Sequence, residues 1–94
     1  MTDPRAIDFD AVEKLRKHLL LQTASFAELL GVSRATYYNW LRGSQPAEQR
    51  LLDLRRQLRI LSAMVIEEGM PHGDYVHMDQ KERAKLLHQR LLKD

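Results

Sequence analysis

Five side chains between positions 34 and 42 form a set that could bond the edges of nucleic-acid bases. They are Arg34, Ala35, Tyr38, Asn39 and Arg42. Their three- and four-residue spacing would place them on one exposed face of a helix. An arginine can donate two hydrogen bonds to guanine, an asparagine can pair with adenine, and an alanine methyl can contact the thymine methyl. We therefore predict base reading by the first four of these residues and phosphate binding by Arg42 at the helix end.

A sharp turn between two short helices would position this face. Gly31 accepts a positive φ, which a tight turn between helices usually needs. Ser33 can cap the following helix, because its hydroxyl accepts a hydrogen bond from an otherwise unpaired N–H. Ala27 is small enough to let the two helices cross closely. The pattern predicts two helices over Thr23–Arg42, the second of which runs over Arg34–Arg42.

This segment resembles the helix-turn-helix of bacterial and phage repressors of the lambda-repressor and Cro type, also called the Xre type. The matching residues, each at the family's spacing, are Ala27, Gly31, Val32, Ser33, Tyr37 and Trp40. Tyr37 is a departure, since the family usually has a branched aliphatic residue there. The T-Y-Y-N-W run is also similar to the helix-turn-helix of tetracycline-repressor-type regulators and of transposase N-termini. The structural alternative is a plain helical hairpin in a small bundle. The resemblance implies that the helix Arg34–Arg42 lies in the major groove of DNA.

The resemblance also implies where phosphates bind. In the family, a glutamine or threonine near the start of the first of the two helices often bonds a phosphate, which assigns Gln22 and Thr23 here. Capping is the structural alternative for Thr23, although Ser25 with a glutamate three residues later predicts the N-cap at Ser25. We also predict phosphate contacts by Ser33 and Arg50.

Tyr37 and Trp40 are predicted to be core residues with polar tips that reach the surface.

The N-terminal region predicts one more helix. Residues 1–9 are expected to form a flexible lead-in, with a proline that breaks any early helix. Asp10 and Glu13 have the spacing of a capping box, so we predict a helix from Asp10 to about Leu21. Arg16 falls off its apolar stripe and is expected to serve solubility.

The C-terminal half predicts a long helix, a loop and a last helix. No helix breaker occurs over Ala47–Glu68, and Pro46 suits the first turn. Leucine and valine recur there as in a heptad seam, so we expect Ile60–Ile66 to keep apolar surface for a partner. The last helix is predicted over Gln80–Leu92. The expected dimer or partner contacts are Leu58, Leu61, Val65, Leu87 and Leu91. The alternative is an ordinary core helix that the last helix of the same chain covers.

Composition narrows the function classes. The 94 residues include no cysteine, which excludes disulfides and thiolate metal sites and fits a cytoplasmic protein. No apolar run approaches the ~20 residues of a membrane span, and no signal peptide is legible. His72, Asp74 and His77 match no common metal-ligand spacing. The net charge of +2 is mild for a DNA-binding protein, so the distribution of arginines matters more than the sum. We expect no metal, no cofactor and no enzymatic activity.

Together these features predict an all-α protein of about five helices. A repressor-like helix-turn-helix head with a long fourth helix would span residues 10–68, and a loop and C-terminal helix for dimer or partner contact would span residues 69–94. We expect a transcriptional regulator, a repressor, that binds an inverted-repeat operator in double-stranded DNA as a homodimer. The alternative is an antitoxin or phage regulator whose C-terminal helices bind and control another protein. A third reading is a module that only binds a host protein.

Overall fold

The computed structural model describes residues 6–93, which form five α-helices and one short 3-10 helix. In chain order these are α1 (Phe9–His18), α2 (Thr23–Leu30), α3 (Arg34–Leu41), α4 (Glu48–Glu68), the 3-10 helix (Gly73–His77) and α5 (Gln80–Lys93). The predicted all-α class with five helices is confirmed. Residues 1–5 of the expected lead-in lie outside the described residues, as does Asp94.

Helix α1 differs from its prediction at both ends. Asp8, not Asp10, is the N-cap, and its Oδ1 accepts hydrogen bonds from the backbone N–H of Asp10 at 3.0 Å and of Ala11 at 3.4 Å. The helix ends at His18 rather than near Leu21. The physical reason is backbone geometry, since the chain reverses through Leu20 at a φ of 60°.

The described part of the lead-in is attached to the head rather than loose. Gln45, in the loop after α3, accepts a hydrogen bond from Ile7 N at 2.9 Å and donates one to Ile7 O at 3.2 Å. Phe9, the first residue of α1, is buried and stacks on Trp40 with ring centroids 5.4 Å apart. Ile7 and Phe9, which the predicted lead-in included, therefore contact the head.

The turn between α2 and α3 has the predicted geometry. Gly31 lies in the left-handed region with a φ of 82°, and Val32 N donates to Ala27 O at 3.0 Å. Ser33 caps α3, because its Oγ accepts from Thr36 N at 3.1 Å. The predicted cap at Ser25 is wrong, since α2 begins at Thr23 and Ser25 lies in its first turn.

The long helix α4 starts one residue later than predicted, at Glu48, and Pro46 lies before it as a buried loop residue. The expected surplus of apolar surface over Ile60–Ile66 is wrong for most of this stretch. Ile60, Leu61 and Met64 are buried, and Ile66 at the end of the stretch is 81% exposed. The reason is that α5 packs against both α2 and α4 and covers them within the same chain.

Candidate nucleic-acid interface

The exposed face of α3 gathers the residues that were predicted to read bases. Arg34, Ala35, Tyr38, Asn39 and Arg42 are all exposed, and four of them line one shallow depression with Leu41. Tyr38 leaves 44% of its surface accessible. The helix therefore presents hydrogen-bond donors and acceptors, a methyl group and two guanidinium groups on one surface. Base reading by these residues stays a prediction.

Two members of this face are already bonded to each other. Arg42 Nη2 donates a hydrogen bond to Asn39 Oδ1 at 2.9 Å. Arg42 follows the last residue of α3. The C-terminal cap of this helix is completed by Gly43, which has a φ of 119°, and by Ser44 N, which donates to Asn39 O at 3.0 Å. The bond between Arg42 and Asn39 restrains the asparagine side chain and engages its amide oxygen.

The opposite face of α3 is an aromatic anchor. Tyr37 is fully buried and Trp40 is 4% exposed. The Tyr37 ring packs edge-on against Phe26 of α2 with centroids 5.7 Å apart, and Trp40 stacks on Phe9 of α1. Both residues belong to the core as predicted, but the expected polar tip at the surface is wrong for Tyr37, which is fully buried. These contacts set the depth and rotation of the exposed face.

A polar network that sequence reasoning missed ties this anchor to α1. Tyr37 Oη donates to Glu13 Oε1 at 2.8 Å. Arg16 donates to both oxygens of the same carboxylate, at 2.8 Å from Nε and 2.9 Å from Nη2, and its Nη1 donates to Leu21 O at 2.7 Å. Glu13 and Arg16 are thus not a capping residue and a solubility residue, because Glu13 bonds α3 and Arg16 bonds the end of the α1–α2 turn. The departure at Tyr37 was the available signal, since a buried hydroxyl needs a partner.

This network has a clear electrostatic state. The hydrogen bonds and charge of Arg16 hold the pKa of Glu13 below its usual value, in spite of an opposing effect of burial. Burial, followed by the hydrogen bond to Glu13, raises the pKa of Tyr37. At neutral pH the carboxylate is therefore ionised and the phenol is a proton donor, as the hydrogen bonds require.

The start of α2 offers backbone donors beside the predicted phosphate ligands. No side chain of Gln22 or its neighbours caps this helix, and its first intrahelical bond runs from Phe26 N to Gln22 O at 2.9 Å. The N–H groups of Thr23, Ala24 and Ser25 precede that bond and point along the helix axis. Such donors suit an anion. Gln22 is exposed and Thr23 half-buried, so both side chains can contribute.

The other two predicted phosphate residues, Ser33 and Arg50, are both exposed but differ in whether their side chains are already bonded. Ser33 is exposed, but its hydroxyl already serves as the α3 cap and donates to Thr36 Oγ1 at 3.0 Å. Arg50 is exposed in the first turn of α4, after the loop that follows α3. Phosphate binding by both residues stays a prediction.

The predicted dimer or partner residues lie mostly inside the chain. Leu61 and Leu87 are completely buried and Leu91 is 4% exposed, because α4 and α5 pack together. Leu58 and Val65 are half-buried against the same core. The alternative of a core helix covered by the last helix describes this packing, and a contact with a second chain cannot use the three buried leucines.

Comparison with known protein families gives a match over the part of the chain that contains α2, the turn and α3. A family model described as helix-turn-helix matches residues 12–62, more than half of the chain. The match runs from α1 through the turn and α3 into α4. Searches of curated proteins and of solved structures found no match. No helix within residues 6–93 has the length and apolar character needed to cross a membrane.

Proposed function

Because the chain belongs to the lambda-repressor-like, or Xre-type, helix-turn-helix family of DNA-binding regulators, we propose that α3 recognises a specific operator. The observation that carries this proposal is the division of α3 into two faces. One face is a buried aromatic anchor, and the other exposes Arg34, Ala35, Tyr38, Asn39 and Arg42. A helix that is fixed on one side and offers base-bonding groups on the other can enter a major groove without rearrangement.

Phosphate contacts would set the register of this helix on the duplex. We assign them to Gln22, Thr23 and the free N–H groups at the start of α2, together with Arg42 and Arg50. Arg34, Ala35 and Asn39 would then discriminate sequence, since they can bond guanine, contact thymine and bond adenine respectively.

We further propose that the protein acts as a repressor and binds an inverted repeat as a homodimer in the cytoplasm. One short recognition helix makes a small contact, and two copies set about 34 Å apart would double it. The exposed apolar residues available for such a dimer are Leu52, Ile66 and Leu92, at 83%, 81% and 72% exposure. The apolar patch over Ile60–Ile66 that would favour a different protein partner is largely buried.

The first test is selection of preferred sequences from random duplex DNA. The wild-type protein is compared with an Arg34→Ala, Asn39→Ala double variant, and an Arg59→Ala variant is the control because Arg59 is exposed on α4. We expect the wild type and the control to select one palindromic sequence. Each base-reading substitution should cost about 1–3 kcal/mol of binding free energy and relax the preference at one position.

Three results bear on the proposal in different ways. An equal loss of affinity on every sequence would show that Arg34 and Asn39 bind the backbone instead of bases. A selected sequence without symmetry would contradict the homodimer. Selection of the same sequence by the wild type and the double variant would contradict recognition through α3.

A further inference from the structure

The turn that leads into α2 is held by residues from the opposite end of the chain. This turn, residues 19–22, includes Leu20, which has a φ of 60° and is the one non-glycine residue among positions 6–93 with a positive φ. A leucine rarely adopts this conformation, and it persists where surrounding contacts enforce it. Those contacts come from the 3-10 helix and from the first turn of α5.

Gln80 bonds the turn with both ends of its side-chain amide. Its Oε1 accepts from Gln22 N at 2.7 Å, and its Nε2 donates to Leu20 O at 2.7 Å. Gln22 is the N-cap residue of α2, and no local side chain caps that helix. The backbone N–H of the N-cap residue is therefore bonded across 58 residues of sequence, and the N–H groups of the first helical turn are left for another acceptor.

Two further side chains brace the same turn. Arg83 Nη1 donates to Leu20 O at 3.0 Å, while its Nε and Nη2 donate to Tyr75 O at 3.1 Å and Val76 O at 2.7 Å. Tyr75, a buried residue that is 3% exposed, donates its hydroxyl hydrogen to Leu19 O. Through Arg83 and Tyr75, the 3-10 helix and the first turn of α5 are therefore both bonded to the turn that Gln80 contacts.

We propose that Gln80 is a positioning residue for DNA binding. Its amide holds the first turn of α2 so that Gln22, Thr23 and the free N–H groups face a phosphate together. An eight-residue helix without its own cap depends on tertiary contacts for the order of its first turn. This inference rests on the proposed function, because the phosphate contact at α2 belongs to it.

The test measures binding to a mixed-sequence DNA duplex over a range of salt concentrations. Gln80→Ala is compared with Gln89→Ala, a matched control because Gln89 is exposed on the same helix. We expect Gln80→Ala to weaken binding about three- to tenfold, the equivalent of one hydrogen bond. The slope of log affinity against log salt should also become shallower, by up to about 0.9 for one lost phosphate contact. Gln80→Met is the second variant if the alanine variant unfolds, because methionine has a side chain of similar length and is a good helix former.

A double-mutant cycle distinguishes positioning from general stability. In a Thr23→Ala background, the effect of Gln80→Ala on affinity should be smaller than in the wild type, since both changes act on the same phosphate contact while Gln22 and the backbone N–H groups remain. In an Arg34→Ala background its effect should be unchanged. A smaller folded fraction would lower affinity without changing the salt slope, so that result would overturn the positioning role.

The outcomes separate this inference from the proposed function. If Gln80→Ala and Gln80→Met bind like Gln89→Ala, the inference is wrong, and recognition through α3 still rests on the sequence selection. If selection yields no preferred sequence but the Gln80 effect is present, operator recognition fails and the positioning role stands. Wild-type protein that binds no duplex at low salt would contradict both.

Discussion

At the scale of single residues, Tyr37 shows how a buried polar atom can orient a functional helix. Its ring fills the core beneath α3, and its hydroxyl bonds the ion pair of Glu13 and Arg16 on α1. The aliphatic residue that is usual at this position could supply packing alone. The tyrosine adds a directional contact, which restricts rotation of α3 relative to α1.

Removing this hydroxyl should destabilise the protein without leaving a large cavity. We expect Tyr37→Phe to lower the free energy of unfolding by about 1 kcal/mol, because Glu13 loses one hydrogen-bond donor in a partly buried site. Urea denaturation of Tyr38→Phe provides the control, since Tyr38 is exposed on the same helix and should change by less than about 0.5 kcal/mol. Equal effects of the two substitutions would contradict a stabilising role for the Tyr37 bond.

The ion pair also predicts a dependence of stability on pH. The folded-state pKa of Glu13 is lowered below 4.5, mainly by its hydrogen bonds from Arg16. A lowered carboxyl pKa stabilises the fold above the unfolded-state pKa, and that contribution is lost as pH falls through the folded-state value. The stability difference between wild type and Glu13→Gln should therefore be largest above the unfolded-state pKa of about 4.5 and shrink as the pH falls below it. Urea titrations above and below this pKa measure it, and a constant difference would rule out Glu13 ionisation as the cause.

At the scale of elements, the angle between α2 and α3 depends on the backbone of Gly31. Its φ is 82°, and a Cβ added there would meet no atom within 4 Å. The requirement for glycine is thus conformational rather than steric, and it can be tested without disturbing the packing of neighbouring side chains.

Substitutions at Gly31 should follow the tolerance of each residue for a left-handed backbone. We expect Gly31→Ala to lower the free energy of unfolding by about 1 kcal/mol, and Gly31→Asn to lower it by less. Thermal or urea unfolding of the two variants gives the comparison. A larger effect for asparagine would indicate a steric restriction that the geometry does not contain.

At the scale of the whole molecule, α5 completes a single core instead of extending from the head. Leu87 and Leu91 pack with buried residues of α2 and α4, and Arg56 Nη1 donates to Leu91 O at 3.0 Å. At the end of α4, Glu68 and Arg90 form a further ion pair. The apolar surface that remains for self-association is therefore smaller and more scattered than an uncovered heptad seam of leucines on α4 would be.

A cavity at the centre of this core should destabilise one chain, whatever its oligomeric state. We expect Leu61→Ala to cost about 2–5 kcal/mol of unfolding free energy, with a loss that is independent of protein concentration. Arg59→Ala should change it by less than about 0.5 kcal/mol, since Arg59 is exposed on the same helix. Unfolding is measured at several concentrations, because a residue at a dimer interface would show a concentration-dependent effect. Such a dependence for Leu61→Ala would contradict its intrachain role.

The sequence alone determined the features that depend on neighbouring residues. Helix content, the left-handed turn at Gly31, the Ser33 cap and the two faces of α3 all follow from local spacing and local chemistry. These features act over one or two helical turns, so their energies are readable without the fold. The resemblance to lambda-type repressors rested on the same short segment, and the family match confirms it.

Only the tertiary structure decided which apolar surface is left over and which polar groups meet. The leucine pattern of α4 is equally suitable for a second chain or for α5, and the choice depends on how the loop returns α5 to the head. The bonds of Glu13 to Tyr37 and of Gln80 to Gln22 join residues 24 and 58 positions apart. Such contacts depend on the relative placement of whole helices, a property that no local pattern encodes.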